Sequence, residues 1–241
     1  MPISMRINFL LPHLKISGGV RINLMYAHFL AKRGHDVRVL VENPSGLRRF
    51  FANVFSGKPF WMKNFLGKVK RVSSFSEEKN IPAGDIIIAT AWRTVFPVHA
   101  YSQEKGVKFH FPQHDERLYH GRKEEVDRAY RLPFKRMVVS TWLKEMFKEE
   151  YGQDAELLLN TVDRDLFHPV EARRDDSSIR ILLLHHEFAW KGTKEGVETV
   201  GNLKERFSKV KLILFGAREK SIGYPCDEYY YNLPQEKLAW L

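Results

Sequence analysis

Four short groups of residues in this 241-residue chain combine side chains and spacing that could do chemistry. Ser17-Gly18-Gly19 follows the apolar run Arg6–Leu11 and precedes a helical pattern. Glycines let the backbone approach a ligand, and N–H groups at a helix start carry partial positive charge that suits phosphate or a hydroxyl oxygen. The same residues would also make a plain tight turn. Trp190-Lys191-Gly192 repeats the design after Ile179–Leu184, with a lysine added at the helix start. Lys191 reads as an anion ligand or as a solvated lysine, and Trp190 as a packing residue. His114-Asp115 lies just past a buried run, at the edge where α/β proteins bind ligands. Imidazole can donate a hydrogen bond or carry a proton near neutrality. Asp115 either orients His114 or caps the next helix. Trp92-Arg93 follows Asp85–Thr90, where Trp92 could stack on a ring and Arg93 hold an anion, or both could simply begin a helix. His110, His114 and His120 have the chemistry of metal ligands, but Pro112 interrupts them and no zinc spacing is met. No metal is expected. The glycine loop is not GxGxxG, which counts against a dinucleotide dehydrogenase.

These groups need strands and helices to position them. Arg6–Leu11 reads as a strand, and the helix after it, from about Val20, shows an apolar stripe of Ile22, Met25, Tyr26, Phe29 and Leu30. Val37, Val39 and Val41 alternate as the next strand, completing a βαβ unit. Leu47 to Phe55 shows helical spacing. Asp85–Thr90, Val107–Phe111, Arg136–Val139 and Glu156–Leu159 read as further strands, with Ser140 as N-cap of a helix carrying Leu143, Met146 and Phe147. After a polar linker at 171–178 come the strand Ile179–Leu184, a helix from about Thr193 with Val197, Val200, Leu203 and Phe207 inward, the strand Lys211–Phe215, and a helix begun at Pro234. The expected domains are 1–170 and 179–241.

The apolar fraction of 44% supports a core, and the one cysteine, Cys226, fits a reducing compartment. No apolar run reaches the roughly 18 residues of a membrane span, and the chain enters a strand almost at once, without a leader pattern. The expectation is a cytoplasmic protein. The formal charge of +10 favours anionic partners. Arg48 to Ser76 holds seven basic residues, seven aromatics and no acid. Such a stretch can lie on an anionic membrane, stack on nucleic acid, or form a core with a lysine rim. No nucleic-acid module accompanies it, so nucleic acid is not the expected partner.

In order along the chain, Ser17-Gly18-Gly19 with Leu30-Ala31, Gly34-His35 and Val37, Gln113-His114-Asp115, Val138-Val139-Ser140 with Trp142-Leu143, Asn160-Thr161-Val162-Asp163 with Phe167 and Pro169, and Trp190-Lys191-Gly192 resemble retaining glycosyltransferases of family four. The resemblance implies an α/β, GT-B-like fold: a complete first Rossmann-like domain and the opening βα units of a second. It implies transfer of a sugar from a nucleotide-sugar donor to a saccharide or lipid-linked acceptor with retained configuration, as in polysaccharide biosynthesis. By the resemblance, Lys191, His186 and Gly192 hold the donor diphosphate, Ser17, Gly18 and Gly19 border phosphate or acceptor, and His114 with Asp115 serves the reacting sugar. Trp92 and Arg93 are candidate acceptor contacts. The nucleotide sugar is a substrate, so no cofactor is expected. Residues 48–72 would attach the protein peripherally to the inner face of a membrane. His185 and His186 stand where relatives commonly have glycine and arginine, which weakens diphosphate binding because histidine is only partly charged. The family's glutamate pair would lie beyond Leu241, so the chain is expected to be C-terminally truncated. The alternatives are a non-catalytic membrane- or polymer-binding protein of the same fold and, behind it, a basic nucleic-acid binder.

Overall fold

Ile7 to Leu11 are all buried because their strand lies inside a sheet covered on both faces. The computed structural model describes residues 3–15, 17–43, 62, 64–119, 122–164, 166–169, 178–217 and 223–241. They divide into two compact units, Met1–Thr161 and Val162–Leu241. Unit 1 runs β1 (Arg6–Leu11), α1 (Gly18–Lys32), β2 (Asp36–Glu42), β3 (Lys68–Val72), β4 (Ile86–Ala89), α2 (Trp92–Ala100), β5 (Val107–His110), α3 (Lys123–Arg131), β6 (Lys135–Val138), α4 (Thr141–Tyr151) and β7 (Ala155–Leu157). Its described strands form one sheet in the order β3-β2-β1-β4-β5-β6-β7. Every pairing is parallel.

Alternation along β1 divides the core between the two faces. Phe9 and Leu11 pack with Val20, Leu24 and Ala27 of α1 on one face. Leu10 packs with Ile87, Val95, Val126, Tyr130 and Phe147 on the other. Burying each such side chain contributes about 1.5–3 kcal/mol. The inward face of α1 is therefore Val20–Leu24–Ala27, at i, i+4 and i+7. Of the stripe read from sequence, Met25 is buried, Ile22, Tyr26 and Leu30 flank the core, and Phe29 is exposed. Ser140 does sit at the N-cap of α4, but its side chain makes no cap bond and its hydroxyl has no partner among the described residues.

Of the aromatic basic stretch, Arg48 to Trp61 and Lys63 lie outside the described residues, and about half of it, 62 and 64–76, is described. There Phe65 and Phe75 are buried while Lys68 and Lys70 project from β3. That is a core with a charged rim, and the lysines guard a sheet edge.

One buried cation knits the far side of the sheet. Arg136 of β6, 2% exposed, donates to Gln153 Oε1 at 2.5 Å, His110 Nδ1 at 2.5 Å, Leu132 O at 2.9 Å and the Tyr130 carbonyl. Its guanidinium also lies 4.5 Å from the Phe147 ring centre. Burial pulls its pKa down to about 10, which leaves it charged at neutral pH. Burial first, and then Arg136, holds His110 well below the usual histidine range.

Unit 2 runs β8 (Ile179–Leu184), α5 (Thr193–Arg206), β9 (Val210–Gly216), β10 (Glu228–Tyr231) and α6 (Gln235–Leu238). Its strands lie parallel in the order β10-β9-β8. Val197 and Val200 of α5 pack on Leu212 and Leu214 of β9. Phe207, expected inward, is 51% exposed because the helix ends at Arg206 and the chain turns away. β10 is a third strand that the sequence reading did not see. β8 stands at the sheet edge, with Leu182 and Leu184 exposed.

Candidate functional site

The winding of the unit 1 sheet reverses between β1 and β4, and the crevice outside the carboxyl ends of such strands is where α/β sheets place ligands. A cavity of ≈ 340 Å³ lies there. The loops after β1, β4 and β5 all reach it. Of the residues singled out by sequence, Ser17, Gly19, Trp92, Arg93 and His114 line this one cavity, while Gly18 and Asp115 do not.

Each is positioned by a local cause. Ser17 caps α1 by accepting from the Val20 N–H at 3.4 Å, which fixes the glycine turn over the cavity. Gly19 sits close against Gln113: a Cβ there would lie 3.1 Å from Gln113 Cγ, so that side chain would have to give by a few tenths of an ångström. Its carbonyl accepts from Asn23 Nδ2 at 2.9 Å. Trp92 begins α2 and is buried, and the Arg93 guanidinium lies 5.1 Å from its ring centre. Thr94 closes that helix start, accepting from the Thr90 and Ala91 N–H groups. His114 packs its ring 4.9 Å from Tyr119, and its carbonyl accepts from the Tyr130 hydroxyl at 3.4 Å.

Asp115 is a cap. It accepts from the Arg117 N–H at 3.0 Å and pairs with the Arg117 guanidinium at 2.9 Å, while Arg117 also binds Glu150. Those bonds hold the short helix Glu116–Leu118 that carries the next residue into the cavity wall.

That residue, Glu116, went unnoticed in the sequence. It is 4% exposed and accepts from the Trp92 N–H through Oε2 at 2.8 Å. Its own N–H donates to Tyr130 Oη at 2.9 Å. Burial pushes its carboxyl up to about 8; the Trp92 N–H works against this and Asp115 adds to it. Gln113, read from sequence only as part of the Gln113-His114-Asp115 element, and Asn23, which was not singled out, also line the cavity. The one available signal was that Gln113 and Glu116 flank His114-Asp115.

In unit 2, Lys191, His186 and Gly192 share the loop between β8 and α5. Thr193 closes it: its hydroxyl oxygen accepts from the His186 N–H at 3.0 Å. His186 Nδ1 accepts from the Phe188 N–H at 3.1 Å, which leaves Nε2 as the nitrogen able to reach a ligand. The Lys191 ammonium rests 4.1 Å from the Trp190 ring centre. Trp190 is not the packing residue expected: it is 51% exposed and stacks on Phe188 at 5.8 Å. Among the described residues no cluster of histidine, cysteine and carboxylates suits a metal ion, and no helix is long and apolar enough to cross a membrane.

No protein-family model and no curated protein matches the chain. Solved structures do match it by shape. An alpha-glucosyltransferase in complex with UDP and a 13-mer DNA containing an HMU base superposes with a TM-score of 0.56 at 16% identity, over 90% of this chain and 58% of that one. The lipopolysaccharide outer core galactosyltransferase WaaB gives 0.54 at 13% identity, over 88% and 61%. The glycotransferase of kitacinnamycin gives 0.53 at 11%, over 96% and 72%. This chain thus spans under two thirds of the first two proteins. The α/β architecture with its parallel Rossmann-like sheet is the fold these GT-B glycosyltransferases share.

Proposed function

We propose that the chain belongs to a glycosyltransferase that moves a sugar from a nucleotide-sugar donor to an acceptor. The observation that carries this reading is the convergence of Ser17, Gly19, Trp92, Arg93 and His114 on one cavity at the switch point of a glycosyltransferase fold. A structural neighbour solved with UDP supports the donor class. Retention of configuration is the finer proposal. In that chemistry the bond from the anomeric carbon to the diphosphate oxygen breaks, and the acceptor oxygen bonds to the same face. The departing diphosphate takes the acceptor's proton, so no protein nucleophile is needed.

Lys191, the N–H groups that follow Gly192 and His186 Nε2 would hold the diphosphate as charge builds on it. His114 would hydrogen-bond the sugar. A saccharide or lipid-linked acceptor would approach the cavity of unit 1. A nucleic-acid acceptor is the second reading, favoured by the charge of +10 and by the DNA in the glucosyltransferase complex. In that case affinity for a duplex should fall at least tenfold between 50 and 200 mM salt, because phosphate contacts release counterions. Fluorescence anisotropy measures it, and salt-independent binding would reject this acceptor.

The reading is tested by calorimetry with UDP on the chain and on two variants. Lys191→Ala should weaken UDP binding by about 1.5–3 kcal/mol, the worth of a charge-assisted hydrogen bond. His114→Ala should leave UDP affinity unchanged, since it serves the sugar. No UDP binding by the unsubstituted chain would reject the donor half of the proposal, and equal binding by Lys191→Ala would take Lys191 out of the site.

A further inference from the structure

Two polar side chains on the unit 1 cavity, buried Asn23 and half-buried Gln113, hold inaccessible atoms that lack a partner among the described residues, and a third, buried Glu116, has a carboxyl oxygen to which no hydrogen bond is made. Asn23, 2% exposed, uses Nδ2 on the Gly19 carbonyl and leaves Oδ1 unpaired. Gln113 leaves both amide atoms unpaired. Glu116, 4% exposed, makes one side-chain bond, from the Trp92 N–H to Oε2, and leaves Oε1. A buried polar group left unmade costs about 1–3 kcal/mol. Native structures rarely tolerate several together unless something else completes them. All three line the same cavity, and its ≈ 340 Å³ sits at the lower end of the small-ligand range.

The chemistry of the set selects the ligand. One amide oxygen accepts, one whole amide accepts and donates, and one carboxyl group offers a second oxygen. Asp115 nearby is neutralised by Arg117. Nothing in this trio demands a charged partner. A sugar ring presents hydroxyls that each donate and accept, and an apolar face suited to an indole such as Trp92 beside them.

We propose that Asn23, Gln113 and Glu116 form a hydroxyl-recognition subsite for a single neutral sugar ring, with Glu116 taking the Trp92 N–H on Oε2 and donating a proton from Oε1 to a sugar oxygen. It rests on the sugar-transfer reading and names the residues that set its specificity. A neutral acid can do this near pH 7 because burial raises the carboxyl to about 8. The other ionisable groups facing it are Arg93 on α2, His13 and His114 on the loops, Asp115 with Arg117, Tyr119, and Tyr130 on α3. Burial raises the Tyr130 hydroxyl above its ordinary range, so it stays protonated and does not add a charge at pH 9.

The test uses the whole chain, ¹⁵N-labelled, with methyl α-glucoside, methyl α-galactoside and methyl α-N-acetylglucosaminide as probes. The Trp92 amide resonance reads Glu116 directly through their hydrogen bond. It should titrate with a midpoint near 8, and the midpoint should rise when a glycoside binds. Affinity for the preferred glycoside should fall at least fivefold from pH 7 to pH 9.5. Glu116→Ala should lose at least tenfold at pH 7 with the amide spectrum otherwise intact. Glu116→Gln keeps a carbonyl for Trp92 and an N–H for the sugar, so it should restore binding and abolish the fall at high pH. Failure of all three glycosides to bind, a Trp92 midpoint near that of an ordinary glutamate, or a Glu116→Gln variant as weak as Glu116→Ala would overturn the subsite. UDP is titrated into the same samples. Glycoside binding without UDP binding rejects the donor half of the proposed function and leaves this subsite standing; the reverse result rejects the subsite alone.

Discussion

Arg136→Ala should lower the unfolding free energy of the chain by about 3 kcal/mol. Four acceptors lose an Arg136 N–H: His110 Nδ1, Gln153 Oε1 and the Leu132 carbonyl are left without that donor, while the Tyr130 carbonyl keeps the Gln153 amide at 3.1 Å. At about 1–2 kcal/mol each, with the space left against Phe147, the loss reaches roughly 5–7 kcal/mol. Against this, a buried cation is no longer desolvated. A fall from the ordinary arginine value of 12.5 to about 10 corresponds to about 3 kcal/mol of relief. The lost bonds win because Arg136 ties β6 to the end of α3 and to the segment before β7 through one planar fork. Arg136→Lys should recover less than half, since an ammonium cannot serve three directions with that geometry. Urea denaturation followed by circular dichroism measures both. An alanine variant as stable as the parent would show that the network balances its own desolvation.

Gly106→Ala should be comparably damaging for a different reason. Gly106 has φ +99° and ψ −178°, a region open essentially to glycine alone. A Cβ there would stand 2.5 Å from the Asp85 carbonyl carbon and 2.6 Å from its oxygen, both backbone atoms at the start of β4. Neither strain nor clash can be relieved without moving β5 against β4, where Val107 donates to Asp85 O at 2.9 Å. A cost of about 3 kcal/mol follows, which for a chain of this length lowers the melting temperature by roughly 6–12 °C. The displacement also travels along β5 towards Gln113 and His114. Glycoside binding should therefore weaken at temperatures where the variant is still folded. Melting within 2 °C of the parent would mean the turn can refold around a side chain.

Much of unit 1 was legible because its central strands are unbroken apolar runs and its helices follow them at short range. Ile7–Leu11 and Ile86–Ala89 could hardly be anything but covered strands. β3 was not legible. Its sequence, Lys-Val-Lys-Arg-Val, carries charge because it lies on an edge, and the charge suggested a patch rather than a strand. β10 hid in the same way behind three tyrosines and a glutamate. Ser17, Gly19, Trp92, Arg93 and His114 could be read as candidates because each follows a buried strand, and the topology then gathers them. Asn23, Gln113 and Glu116 could not. Polar residues look solvated until the packing of α1, α2 and the loop after β5 shows that water is excluded from them. For Asp115 both readings were open, and only the position of Arg117 decides between them.

The central place of β1 sets a timetable for synthesis. Ile7 pairs with Val37 on one side and with Ile86 on the other. At about 5–20 residues per second, the first neighbour emerges within seconds of β1, and the second follows roughly 2–10 s later. During that interval β1 has one edge zipped to β2 and the other open, with Phe9 and Leu10 facing whatever is near. A slow codon run between residues 43 and 85 would lengthen that exposure. The nascent chain is then most vulnerable to a chaperone, or to a neighbouring ribosome's product, before a single residue of β4 has been made.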